Sequence, residues 1–274
     1  MSLEYADSHG HLTMVFEGGE MKGAPRAPRP DELQLLVARA RDAGVTRILV
    51  PSTDGEDQRR AVEAAERFDG VFAAVGFHPH EARNFDEDRD LRLFEELCAS
   101  RKVVAVGEIG LDYHYDHSPR DVQQHAVAAQ LRFAREKGLP VLLHNRLSER
   151  DLLPILEREY PGTPEAPKGV FHSFCADVAT GERALQLGYL VSFSGMLTFK
   201  SADNVREAAV ALPLASTLLE TDAPYLAPVP FRGKPNESSY LPKTAARLAE
   251  VKRVSVEEVA RVTTENFKRL FRVE

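Results

Sequence analysis

The sequence predicts a closed (β/α)8 barrel, a single domain over residues 1–274, and three observations lead to it. A chain of 274 residues has the size of one such barrel, or of two smaller domains. Short β-branched runs alternate with longer amphipathic stretches from end to end, without a lapse that marks a domain boundary. Histidines and carboxylates fall where the short runs end. A doubly wound open sheet is the alternative reading of the same alternation.

Taken in order, the expected strands are LEYADS (3–8), VTRILV (45–50), VFAAVGF (71–77), VVAVG (103–107), LPVLL (139–143), GVFH (169–172), YLVSF (189–193) and STLLET (216–221). Most are apolar nearly throughout, as strands covered on both faces are. Helical patterns fill the intervals at 31–43, 56–68, 87–100, 119–137, 148–159, 178–187 and 202–211, with two more at 241–252 and 255–270. Pro30-Asp31-Glu32 is a start signal for the first helix and Ser118-Pro119 for the fourth. Ser255 with Glu258 three residues on forms a capping box for the last. The first strand-to-helix loop is long, and its run EGGEMKGAPRAPRP carries Lys22, Arg26 and Arg29. In a barrel that loop lies on the face where active sites are built.

Composition narrows the classes. Hydrophobic residues make up 43% and charged residues 28%, the balance of a soluble globular protein with a large core. A net charge of -7 argues against a protein that coats nucleic acid through a broad basic surface, though not against a small basic rim at one site. No apolar run reaches the roughly 18 residues of a membrane span. The N-terminus lacks a basic stretch followed by an apolar core, so the cytoplasm is the expected location, with no membrane association. Cys98 and Cys175 are too far apart in sequence to form a disulfide framework, and neither belongs to a CxxC pair.

The placement of polar residues is the most informative feature. His9 and His11 follow the first strand, His78 and His80 the third, Glu108 the fourth, His144 the fifth, His172 the sixth and Asp222 the eighth; six of the nine histidines thus sit at strand ends. Barrel closure would bring these ends to one mouth, which is what a metal site needs. Side chains alternate along a strand, so the single spacer in HxH aims both imidazoles the same way. Asp7 shares their parity and is read either as orienting a ligand or as pairing with backbone. The ordinary reading of a lone histidine after an apolar run, such as His144, is a hydrogen-bonded core residue. Glu108 and Asp222 resist that reading, because an ionised carboxylate after an apolar strand is costly without a cation or donors beside it. His114, His117 and His125 read as solvated, with His114 alone within reach of the mouth, and Cys175, three residues after His172, makes no nucleophile–base pair by adjacency alone. There is no GxxxxGK[ST] and no GxGxxG phosphate loop. Arg146, Lys200, Arg232 and Lys234 are candidate phosphate contacts around the mouth, against an ordinary reading as solvated charges.

DSHGHL, GFHPH, GEIGLDY, HNR, FHSF and ETDAPYLAPVPFRGKPNES, in this order and spacing, resemble the TatD-type metal-dependent hydrolases, deoxyribonucleases of the amidohydrolase-like barrel group. The resemblance spans essentially the whole chain. It implies a TIM-like barrel, a two-metal centre and phosphodiesterase action on DNA, a 3′–5′ exonuclease in some members. By matching motif it implies that His9 and His11 bind the first metal and that Glu108 bridges both. His144 and His172 then bind the second metal, and Asp222 binds the first and takes the water proton. His78 is placed near the substrate phosphate rather than on a metal. The ions are expected to be magnesium, manganese or zinc, the substrate DNA with a free 3′ end, and no obligate protein partner is expected. Gly10 and Ser173 stand where many members have cysteine, both between ligands rather than at them. The rival is an amidohydrolase or aminoacyl-ester deacylase with the same centre. Related barrels often bridge their metals with a modified lysine on strand four, so Glu108 favours the phosphodiesterase.

Overall fold

The computed structural model describes residues 3–274. Eight parallel strands run in one sheet in chain order: β1 (Tyr5–Asp7), β2 (Val45–Val50), β3 (Val71–Val75), β4 (Val103–Asp112), β5 (Val141–Arg146), β6 (Gly169–Phe171), β7 (Tyr189–Phe193) and β8 (Thr217–Leu219). The last seam is closed beyond the strand ends. Ser8 N donates to Leu219 O at 2.9 Å, Asp222 N to His9 O at 2.8 Å and His11 N to Ala223 O at 2.8 Å, around a parallel bridge between Gly10 and Ala223. The barrel, not the open sheet, is the outcome.

Helices α1 (Pro30–Asp42), α2 (Gly55–Arg67), α3 (Glu87–Leu97), α4 (Arg120–Lys137), α5 (Glu149–Glu159), α6 (Val178–Gln186) and α7 (Asp203–Ala211) follow β1 to β7, and α8 (Leu241–Lys252) and α9 (Val256–Phe271) follow β8. Strand side chains divide between two cores as period-two alternation requires. Leu49, Ala74, Leu142, Val170, Leu190 and Leu218 fill the barrel, packing with Phe267, Leu270 and Phe271 of α9. Val50, Val75, Val106, Leu143, Phe171, Val191 and Leu219 face the outer helices. Asn266 of α9 donates to Thr217 O at 2.9 Å and Thr264 to Glu4 O at 3.2 Å, so α9 covers the N-terminal end and leaves the other end to the loops. No helix among the described residues is long and apolar enough to cross a membrane.

Most element boundaries shift by a residue or two, but β4 departs further. The fourth strand was expected to end at residue 107, with EIGLD past it. Instead it continues to Asp112, because β5 also continues and supplies a ladder partner for each residue from Gly110↔His144 to Asp112↔Arg146. Gly110 is what permits the approach: at φ 147 it lies in the region glycine tolerates, and a Cβ there would meet His144 O at 2.0 Å. His144 therefore lies within β5 rather than past it. The helix starts are partly as expected. Ser255 Oγ accepts from Glu258 N at 3.1 Å, whereas Ser118 does not cap α4 and instead donates to His80 O at 2.8 Å. In the first loop, Val15 and Arg26 form an antiparallel bridge, and Arg26, Arg29 and Lys22 are each paired with a nearby glutamate.

Candidate metal centre

The closing seam fixes the first two histidines. Asp7, fully buried, accepts from Thr221 N at 2.9 Å through Oδ1, and from Thr221 Oγ1 at 2.6 Å and Ser238 Oγ at 2.7 Å through Oδ2. It ties β1 to the segment after β8 and orients no imidazole; burial nonetheless lifts its pKa to about 6. Gly10 now has a reason. A Cβ there would lie 2.9 Å from Asp7 Oδ2 and 3.3 Å from Ser238 Oγ, inside this knot. Gly10→Ala should therefore destabilise the fold by roughly 1–3 kcal/mol, the usual cost of overpacking, read as a lowered Tm. An unchanged Tm would show that the knot yields.

Past that knot the polar strand ends converge. His9 Nε2 lies 3.2 Å from His11 Nε2 and 3.2 Å from Glu108 Oε2. Asp222 Oδ1 completes that side, 3.8 Å from His9 Nε2 and 3.7 Å from His11 Nε2. The other carboxylate oxygen, Glu108 Oε1, lies 2.8 Å from His144 Nδ1, 2.8 Å from His172 Nε2 and 3.3 Å from His78 Nε2. His9 and His172 stack with ring centroids 4.0 Å apart, so the two sides share a wall. Glu108 itself is 3% exposed, which leaves its charge to be met by the protein or by a bound cation.

Without a cation the cluster meets that charge with protons. Burial opposes ionisation of Glu108, but His172, His78 and His9 around it hold its pKa well below the ordinary range. Burial likewise opposes charge on His172, and Glu108 overrides it, raising His172 well above an ordinary imidazole. Burial pushes His11 down to about 3 and His78 down to about 4, so both stay neutral, and it pushes Asp222 up to about 6. A divalent ion is the alternative to those protons, and the residues fit one. Donor atoms of His9–His11–Glu108, His9–His172–Asp222 and His78–Glu108–His144 each lie within 4.8 Å of one another. Ligand atoms sharing an ion at about 2.0–2.2 Å are roughly 2.8–3.6 Å apart, the range of most contacts above. His144 shows the need most directly. Its Nε2 is engaged by Asp112 Oδ2 at 3.1 Å, so its Nδ1 points a lone pair at Glu108 Oε1 unless a proton or cation lies between them.

His78 is held differently. Its Nδ1 accepts from His80 N at 3.1 Å, which leaves the ring proton of the neutral form on Nε2. That nitrogen is a donor rather than a free ligand. His80, the other histidine of GFHPH, donates away from the cluster to Asp112 Oδ2 at 2.9 Å.

A cavity of about 1000 Å³ opens over the cluster, reached by His11, His78, Glu108, His144, His172 and Asp222. Of the four candidate phosphate cations, Arg146 lines it, with its guanidinium 4.9 Å from the centre of the Tyr115 ring. Arg232 lies 3.5 Å over the ring of Phe199, a lining residue, and the exposed Lys200 follows Phe199 in sequence. Lys234 lines a second cleft of about 350 Å³ that shares His11 and Met14 with the first. His114 is exposed at the cavity, and His117 and His125 are exposed outside it. Two buried carboxylates went unread in the sequence: Asp112, behind His144, and Glu220, 3.4 Å from His172 Nδ1. The signal for Asp112 was its parity with Glu108 in GEIGLD, four residues apart on an extended strand; Glu220 carried the same parity with Asp222.

Imidazoles and carboxylates drawn from six strand ends into the open mouth of a barrel define a class, the metal-dependent hydrolases. Within it the likenesses are specific. The family model described as TatD related DNase matches residues 6–272. The uncharacterized metal-dependent hydrolase YabD of Bacillus subtilis is 41% identical over 242 residues, covering 88% of this chain and 93% of that one. The crystal structure of YjjV, a TatD homolog from Escherichia coli, superposes with a TM-score of 0.86 at 34% identity, covering 98% of each chain. The chain belongs to the TatD family of metal-dependent hydrolases.

Proposed function

We propose that this hydrolase is a two-metal phosphodiesterase whose substrate is nucleic acid, DNA with a free 3′ end. The observation that carries the reading is the division of Glu108: one oxygen faces His9 and His11, the other faces His144 and His172. Only a bridging carboxylate needs both faces furnished with ligands. His9, His11 and Asp222 would hold the first ion and His144 and His172 the second, with Glu108 between them; zinc suits the imidazoles of this set, and magnesium or manganese its carboxylates. The description of the family as DNases supports a nucleic-acid substrate.

Two divalent ions bound there would supply the Lewis acidity that lowers the pKa of the attacking water and offsets charge on the phosphate. The chain's own residues do the rest. Asp222 lines the cavity on the first ion's side and accepts the proton of the attacking water; a neighbouring cation keeps it ionised at neutral pH. His78 donates its Nε2 proton as a hydrogen bond to a phosphate oxygen, stabilising charge that grows during the displacement. Arg146, which lines the cavity, would hold a neighbouring phosphate, and Lys200, Arg232 and Lys234 are the cations that would take phosphates beyond it.

The test is a 5′-labelled oligonucleotide with a free 3′ end and an aminoacyl ester, offered in parallel to metal-free protein, then to protein loaded with magnesium, manganese or zinc. Shortening of the oligonucleotide from its 3′ end, dependent on added ion and abolished by a chelator, is expected. An intact oligonucleotide beside a hydrolysed ester would replace this reading with the deacylase.

A further inference from the structure

Each imidazole of the cluster turns one nitrogen toward it and one away, and what the outer nitrogen meets divides the four expected ligands into two pairs. His144 Nε2 lies 3.1 Å from Asp112 Oδ2, and His172 Nδ1 lies 3.4 Å from Glu220 Oε1. The outer Nδ1 atoms of His9, His11 and His172 are all buried without a hydrogen bond among the described residues, but of the three only that of His172 faces a carboxylate, at the 3.4 Å of Glu220 Oε1. Asp112 and Glu220 are both 0% exposed, and neither lines the cavity.

Both carboxylates are held in place by the backbone. Asp112 Oδ1 accepts from His114 N at 2.9 Å and Tyr115 N at 2.8 Å, while its Oδ2 takes His80 as well as His144. Glu220 Oε1 accepts from Ser173 N at 2.6 Å, and its Oε2 is buried without a partner. A buried, half-satisfied carboxylate is costly unless a cation lies close. One imidazole away from Glu220, the second ion would be that cation. A carboxylate behind a ligating histidine also fixes which nitrogen carries the proton and enriches the other as a donor.

We propose that Asp112 and Glu220 are positioning residues for the ion held by Glu108, His144 and His172, and that they make this the tighter of the two ion positions. The inference rests on the two-ion reading above and concerns metal affinity, not the substrate.

Titration of metal-free protein with cobalt(II), followed by calorimetry and by the visible spectrum of the bound ion, tests it. Wild type should bind in two steps. Glu220→Gln keeps an oxygen for Ser173 N and puts its amide where nothing is bonded, so its Tm in chelator should match or exceed that of wild type. Its tighter step should weaken on the order of 10–100-fold, with a changed spectrum for that ion, while the weaker step moves by no more than about twofold. Asp112→Asn should weaken the same step and also lower Tm, since its amide must oppose either two imidazoles or two backbone N–H groups. A folded Glu220→Gln protein with both steps unchanged, or both weakened alike, overturns the proposal. Wild type that binds fewer than two cobalt ions overturns the two-ion reading itself, and this inference with it.

Discussion

Glu108→Gln should abolish turnover, by roughly 10³-fold or more, and reduce the bound divalent metal from two ions to at most one. The change removes a single charge without altering size, so the size of the effect measures how much of the centre depends on that charge. Glu108 faces both histidine pairs, with contacts of 2.8 Å on one oxygen and 3.2 Å on the other. A neutral amide presents one oxygen and one N–H group, so whichever way it turns, one pair of imidazoles faces a donor instead of an anion. Each tenfold loss corresponds to about 1.4 kcal/mol of transition-state stabilisation, and losing one of two ions forfeits several such units. Metal content by elemental analysis and single-turnover rates check it together. Two retained ions with near-normal turnover would remove Glu108 from the centre.

Asp222→Asn is expected to separate binding from chemistry. Turnover should fall by roughly 10²–10⁴-fold, the usual contribution of a general base, while two ions remain bound. The choice of asparagine matters. Asp222 has φ 55, in the left-handed region that asparagine tolerates better than alanine, so the backbone that presents it is preserved. Its N–H continues to donate to His9 O across the barrel seam. The amide oxygen can still face an ion but cannot take a proton from water at neutral pH. Unchanged turnover would assign the proton to another group; loss of both ions would make Asp222 chiefly a ligand.

Much of this was legible before folding. Strands such as VVAV (103–106) and VLL (141–143) are buried on both faces, so they read as unbroken apolar runs, and a polar residue at their ends stands out against them. That contrast is why Glu108 and Asp222 stood out individually, whereas His144 and His172 gained weight only from the convergence of strand ends in a barrel. What escaped notice was set by neighbours distant in sequence. The fourth strand was expected to end at Gly107, but β5 holds the following stretch in the sheet, which carries Asp112 behind His144. Glu220 was overlooked because its partner, Ser173 N, lies 47 residues away on another strand end. Gly10 looked arbitrary until Asp7, Ser238 and Thr221 surrounded it. Ligand types are visible in composition and periodicity, whereas the groups that hold ligands in place are defined by packing.

Glu108 lying between two ions is the arrangement on which the proposed chemistry depends. Anomalous diffraction from manganese-loaded crystals measures this directly. Two peaks about 3.5–4 Å apart are expected, each roughly 2.0–2.3 Å from a different oxygen of Glu108, one beside His9 and His11 and the other beside His144 and His172. A single peak under saturating metal, or two peaks with Glu108 bound to neither, would contradict it.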